Sequence, residues 1–168
     1  NIKNETIPDF IEIIGQNSFN RCECITCINF SSKSKLKSID NEAFSNSSLK
    51  SLMIPASTKK IGSFAFASCR QIKSVVFQNN SELQIIERCA FFESSIECIS
   101  IPSKIEKIVD GAFSLCRKIQ IVEFDGNNKL ENIDPNIFEC NRFLLMVSVE
   151  MKNRVIKVIK DNYVYEWE

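Results

Sequence analysis

A phenylalanine that returns at alternating intervals constrains this chain more than any other feature. Phe19, Phe44, Phe66, Phe91, Phe113 and Phe138 are separated by 25, 22, 25, 22 and 25 residues, so the higher-order unit is 47 residues long. Self-similarity at such a period signals a stacked-coil architecture, because a repeat this short cannot cover its own apolar face and must lie on its neighbours. Other columns lock to the same frame. Five residues before each phenylalanine stands an isoleucine: Ile14, Ile39, Ile61, Ile86, Ile108 and Ile133. Eight before it are Ile11, Leu36, Thr58, Leu83, Ile105 and Leu130, with Thr58 the polar exception. Directly before it the residue is small in five of six turns, Ser18, Ala43, Ala65, Ala90 and Ala112, and is Ile137 in the last.

After each phenylalanine comes a second apolar set, spaced apolar-x-x-apolar-x-apolar. Ile25, Ile28 and Phe30 form the first, Leu49, Leu52 and Ile54 the second, and Ile72, Val75 and Phe77 the third. Later copies are Ile96, Ile99 and Ile101, then Ile119, Val122 and Phe124, then loosely Leu144, Val147 and Val149. The in-out alternation at the end of each set is the period-2 pattern of a half-buried strand. It predicts one short parallel strand per turn, with equivalent residues about 5 Å apart and the six rings piled into a spine. Short turns leave the strand through Pro55 or Pro102, which lack the N–H a longer ladder needs. Long turns leave through the polar loops SSKSK, QNNSE and DGNNK, expected to project from one edge on every second turn. Segments such as FASCRQ leave room for little more than one helical turn. The fold class is therefore α/β and β-rich, a solenoid of alternating 25- and 22-residue repeats. One domain is expected over residues 1–168, regular over about 11–149, with a degenerate cap over about 150–168. There Ile156 and Ile159 precede Val164, which replaces a seventh ring, and the tail NYVYEWE is suited to covering the last edge. Because the chain opens and closes inside or beside repeats, it is expected to be a piece of something longer.

The pattern Ile-x-x-Ile-x-x-x-Ala-Phe-x-x-Cys, continued by Ile-x-x-Val-x-Phe or Leu-x-x-Leu-x-Ile-Pro, resembles the BspA-like class of leucine-rich repeats. The resemblance is close in KIGSFAFASCRQIKSVVF and IEKIVDGAFSLCRKIQIVEF, and it extends from about Ile11 to Val149. It implies a right-handed, curved leucine-rich-repeat solenoid with a concave strand face, in cell-surface proteins of anaerobic protozoa and host-associated bacteria that are associated with adhesion to host cells or matrix proteins. The 25/22 alternation departs from the steadier period of many members and bears on the uniformity of curvature.

Composition narrows the function. Twenty-one basic residues balance twenty-one acidic ones, so the chain has no net field to draw it to nucleic acid. No run of about eighteen apolar residues is present to span a bilayer. Histidine is absent, which removes the commonest general base and a principal zinc ligand, and the four glycines build no phosphate-binding loop. No catalytic residues, cofactor or metal are expected, and a cysteine nucleophile would lack a histidine partner. Of the eight cysteines, Cys22, Cys69 and Cys116 stand three residues after a ring, in a column otherwise filled by Ser47, Ser94 and Asn141. Two turns apart means about 10 Å, too far for a disulfide, so these three are read as buried thiols against the turn backbone. The cluster Cys22, Cys24 and Cys27 lacks the four converging ligands zinc requires. Cys116 and Cys140 are the one pair considered for a disulfide, with free thiols favoured.

The expected partner is another protein. Strand positions pointing away from the core form two columns that supply the candidate binding face: Ser51, Ser74, Cys98, Ile121 and Met146 in one, Asn29, Met53, Val76, Ser100 and Glu123 in the other. The mixed, partly apolar character suits a protein ligand. Four glycosylation sequons begin at Asn4, Asn29, Asn46 and Asn79, and a glycan on Asn29 would obstruct that face. A non-catalytic interaction module of a surface or secreted protein is the leading reading. An intracellular scaffold or regulatory subunit, which free cysteines favour, is the alternative.

Overall fold

The structure is a computed structural model that describes residues 4–125, 130, 135–139, 141, 146–151, 154–155, 157–158 and 165–166, with side chains described as far as Asp125 and at 130, 136–139 and 141. Its strands in chain order are β1 (Asn4–Thr6), β2 (Ile13–Ile14), β3 (Cys27–Asn29), β4 (Ser38–Ile39), β5 (Ser51–Ile54), β6 (Lys60–Ile61), β7 (Ser74–Phe77), β8 (Ile85–Ile86), β9 (Cys98–Ile101), β10 (Lys107–Ile108), β11 (Ile121–Phe124), β12 (Met146–Met151), β13 (Arg154–Val155), β14 (Lys157–Val158) and β15 (Tyr165–Glu166). Helix is confined to one 3-10 turn, Pro135–Phe138, among the described residues. The whole is a parallel β-solenoid of the leucine-rich-repeat kind.

Each coil contributes two strands, where the sequence pattern predicts one. The odd-numbered strands β1 to β11 and then β12 form a long parallel sheet, closed by β13. On another side of the coil, β2, β4, β6, β8 and β10 form a second ladder, built from the isoleucine column and the residue before it. Strand β1 also lies outside the expected repeats, pairing Asn4 with Cys27 so that the long sheet begins before Ile11. Beyond β12 the parallel order ends, since β13 runs antiparallel to β12 and β15 antiparallel to β14.

Register shows where the length difference is absorbed. Along the short ladder Ile14 pairs with Ile39, Ile39 with Ile61, Ile61 with Ile86 and Ile86 with Ile108, steps of 25, 22, 25 and 22 residues. Along the long sheet Cys27 pairs with Ser51, Ser51 with Ser74, Ser74 with Cys98 and Cys98 with Ile121, steps of only 24, 23, 24 and 23. Part of the alternation is therefore lost in the segment between ring and strand, and the rest in the loops beyond the strand. Phe77 and Phe124 end the strands of long turns, with Phe30 just past the end of β3, and Ile54 and Ile101 end those of short turns that exit through Pro55 and Pro102.

Opposite the long sheet the rings stack. Centroids lie 5.0 Å apart for Phe19 and Phe44, 5.3 Å for Phe44 and Phe66, 5.2 Å for Phe66 and Phe91 and for Phe91 and Phe113, and 5.7 Å for Phe113 and Phe138. Planes tilt by 6° or less over the first four pairs and by 18° in the last. Parallel rings in face contact would be closer, at about 3.5 to 4 Å, so each is slipped along its neighbour in the offset arrangement that the ring quadrupole favours. Phe44, Phe66, Phe91 and Phe113 are fully buried, as are Ala43, Ala65, Ala90 and Ala112 before them. A methyl group there lets adjacent backbones approach.

The backbone around each of the first five rings has a form the residue types do not advertise. Residues two before and two after the ring have positive φ in coil after coil: Asn17 and Arg21, Glu42 and Asn46, Phe64 and Ser68, Cys89 and Glu93, Gly111 and Leu115. For a residue with a Cβ this conformation costs roughly 1 to 2 kcal/mol. What offsets it is a third ladder. In the coil of Phe44, the amides of Glu42, Phe44 and Asn46 donate to the carbonyls of Ser63, Ala65 and Ala67 at 2.9, 2.8 and 2.8 Å. The intervening amides of Ala43, Ser45 and Ser47 bond back within the coil to Asp40, Glu42 and Phe44. With positive φ at the two ends of the stretch, every second amide reaches forward and the others bond locally, so this backbone is satisfied without a helix.

Candidate functional site: the outer face of the long sheet

Because side chains alternate along a strand, the residues that form the core also fix which ones face outward. Ile28, Leu52, Val75, Ile99 and Val122 point into the core, so their neighbours point away from it. Asn29, Ser51, Met53, Val76, Cys98, Ser100 and Glu123 are exposed, while Ser74 and Ile121 are half-buried. Met53 and Val76, paired across β5 and β7, leave 53% and 49% of their surfaces in solvent. Met146 lies outside the residues with described side chains, and its backbone pairs with Ile121.

These positions separate into two groups. Ser74, Val76, Cys98, Ser100, Ile121 and Glu123 line one depression of about 850 Å³ across β7, β9 and β11. Asn29, Ser51 and Met53 continue the face over β3 and β5 but do not line it. The sequence reading missed the rim, which comes from loops: Gln78 to Ser81 on one coil, Pro102 and Ser103 on the next, and Asp125 beyond. Gln78 is anchored, its Oε1 accepting from the Ala56 amide at 3.1 Å, and Asn80 turns the chain at φ 61°. The polar QNNSE loop was the available signal. Of the other long-turn loops, DGNNK falls largely at 126–129, outside the described residues.

Thiols at the candidate positions behave differently from those in the ring column. Cys69 and Cys116 are fully buried, and their Sγ atoms donate to the carbonyls of Phe44 at 3.0 Å and Phe91 at 2.9 Å. Ser47 and Ser94 sit beside them at 3.4 and 3.3 Å, and Asn141 Nδ2 repeats the bond, to the Phe113 carbonyl at 2.8 Å. Burial pushes both thiols up to about 11, against the opposing pull of the serine partners. Cys22, expected to be a third buried thiol, is only half-buried, because the first ring coil lacks the cover that later coils receive. Cys116 is free, and Cys140 lies outside the described residues. Cys24 and Cys98 are exposed. No group of three or more potential metal-ligating side chains occurs among the described residues.

Some charged groups elsewhere pair between coils. Glu12 pairs with Lys37 at 2.7 Å, Glu87 with Lys60 at 2.9 Å, Glu93 with Arg70 at 2.9 Å, and Glu82 with Lys104. Hydrogen bonds and charge from the lysines hold the Glu12 and Glu82 carboxyls below the usual range. Burial raises Glu87, but Lys60 and Ser63 together outweigh it and leave its carboxyl lowered. As exposed pairs they are screened by solvent and add little to stability.

With two parallel ladders, a ring spine and an outer sheet face established, comparison with known families becomes decisive. The BspA type leucine rich repeat region matches in six copies, over residues 1–119 and 80–166. The chain belongs to this family. Among solved structures, this BspA-type chain is similar to the pneumococcal vaccine antigen PcpA, at 28% identity and TM-score 0.73 over 75% of the chain and 31% of that structure. It is also similar to a leucine rich cell surface protein of Faecalibacterium prausnitzii, at 19% identity and TM-score 0.56, covering 98% of the chain and 44% of that structure. A leucine-rich repeat protein of Eubacterium ventriosum gives 18% identity and TM-score 0.50 over 98% of the chain and 42% of that structure. The chain thus spans less than half the length of each. No curated protein matches the sequence. No helix among the described residues is long and apolar enough to cross a membrane.

Proposed function

We propose that this chain is a non-catalytic, protein-binding module of a cell-surface or secreted BspA-type protein, mediating adhesion to host cells or matrix, with the outer face of the long sheet as its contact surface. The observation that carries this reading is the depression of about 850 Å³, floored by side chains the core does not need and rimmed by polar loops. Mixed apolar and polar lining with few charges is the composition of the centre of a protein interface. Similarity to a pneumococcal surface antigen and to a leucine rich cell surface protein supports placement at the surface. The test is binding of the purified chain to epithelial monolayers and to matrix-protein coats, comparing wild type with Met53→Glu and Val76→Glu and with the control Lys107→Glu on the short ladder. A charge buried at the centre of a contact should weaken binding by about tenfold or more, the scale of a hot-spot change. Unchanged affinity in both face variants would place the contact elsewhere.

One observation favours the alternative of an intracellular scaffold: the seven described cysteines are all free. Labelling intact source cells with a membrane-impermeant maleimide discriminates the two. A surface module is labelled at Cys24 and Cys98 before lysis, and an intracellular one only after it.

A further inference from the structure

The depression has a chemical direction. Val76 faces outward from β7 at one end, Ser100 from β9 in the middle, and Glu123 from β11 at the other end, paired in register with Ser100. Ile121 adds apolar floor beside Glu123, and Asp125 stands on the rim at the same end. None of the described residues lining it is basic. Glu123 is exposed and, unlike Glu12, Glu87 or Glu93, forms no ion pair with a lysine or arginine among the described residues. Two ladder spacings, about 10 Å, separate β7, which carries Val76, from β11, which carries Glu123.

Resting on the proposed binding function, we infer that this depression takes an extended segment of a partner protein that sets an apolar side chain over Val76 and a lysine or arginine against Glu123. Strand β9 is an inner strand, paired with β11 along its length and with β7 at Cys98 and Ile99, so a segment crossing the strands cannot add to the ladder as an edge strand and must be read through side chains. A polyproline II segment meets that requirement. It needs no hydrogen-bonded partner strand, and its residues i and i+3 face the same way about 9 Å apart, close to the spacing of β7 and β11. Its preset conformation also reduces the ordering cost of binding.

The probe is the peptide acetyl-Pro-Leu-Pro-Pro-Lys-Pro-amide, compared with its Lys-to-Glu counterpart and titrated into the labelled chain while backbone amide resonances are followed by NMR. The lysine peptide is expected to shift amides of β7, β9 and β11, and the glutamate peptide to bind about two- to fivefold more weakly or worse, the range for one exposed ion pair. Glu123→Gln should remove that preference and Glu123→Lys should reverse it, with both variants melting like wild type because the residue lies outside the core. Failure of either peptide to move those amides, equal affinity for the two, or a preference unaltered in Glu123→Lys would overturn the inference. Cell or matrix binding that is lost in Val76→Glu but intact in Glu123→Gln would overturn it while leaving the adhesion reading standing.

Discussion

Two sides of the same coil follow opposite rules. On the ring side the turns of Phe19, Phe44, Phe66, Phe91 and Phe113 repeat one solution: a phenylalanine, a small residue before it, positive φ on both flanks and three amides donated to the next coil. On the sheet side only alternate positions are fixed, and the outward ones run through Asn29, Met53, Val76, Ser100 and Glu123 without a common size or charge. A ladder repeated at about 5 Å can tolerate variation wherever its side chains do not touch the core, and nowhere else. Stability is therefore written in the recurring columns, and the proposed contact surface lies in the variable ones.

The sharpest way to break this contrast is to truncate one residue on each side. Phe91→Ala should cost about 3 to 5 kcal/mol, since the ring is fully buried between two others, whereas Val76→Ala should fall within about 0.5 kcal/mol. Denaturant midpoints of the two variants give the comparison, and similar losses would dissolve the distinction.

The buried thiols extend the test to pH. Cys69 and Cys116 hold their protons to about 11 when folded, while a thiol in the unfolded chain ionises near about 8.5. The folded form retains the proton that the unfolded form releases, so their contribution is intact below the unfolded value and is lost as pH climbs toward 11. Each thiol can account for up to about 2 to 3 kcal/mol of that alkaline fall. Urea midpoints between pH 8 and pH 10.5 should drop less in the Cys69→Ser/Cys116→Ser variant, in which serine takes the place it already holds at Ser47 and Ser94. An equal drop in both proteins would mean the thiols are not buried.

Two smaller changes probe the fit between coils. Gly62 and Gly15 both stand four residues before a ring, yet a Cβ on Gly62 would meet the Asn41 amide nitrogen at 2.7 Å, while on Gly15 it would come no nearer than Ser18 Oγ at 3.5 Å. Gly62→Ala should therefore destabilise by about 1 to 3 kcal/mol as overpacking against backbone, and Gly15→Ala should be near neutral. Thermal melts of the pair check it. Thr58 is fully buried in an otherwise apolar column and its Oγ1 has no protein hydrogen-bond partner. Thr58→Val should raise stability by up to about 1 kcal/mol, and a loss of that size would show the hydroxyl to be satisfied.

The sequence exposed the parts that recur in side-chain identity. Ring spacing, the isoleucine column and the strand alternation were all readable, because each places the same kind of group against the core on every turn. The second ladder was not, since strands of two residues such as Lys60–Ile61 are too short to carry a period. Strand β1 was hidden by its polar residues, Asn4, Glu5 and Thr6. Positive φ at Arg21, Glu42, Phe64 and Leu115 left no trace in residue type, because the flanking hydrogen bonds and not the side chains enforce it. For the site, the outward columns followed from alternation alone, while the rim from Gln78 to Ser81 did not, because loop placement depends on where the chain turns back.

The central claim is that the rings form one continuous stack in which each touches only its neighbours. A double-mutant cycle tests it most directly, using leucine substitutions at Phe66 and Phe91, which stack at 5.2 Å, and at Phe44 and Phe113, which are three coils apart. Adjacent rings should couple by about 0.5 to 1.5 kcal/mol, and the separated pair should be additive within about 0.5 kcal/mol. Additivity at Phe66 and Phe91, or equal coupling in the two cycles, would contradict the stack.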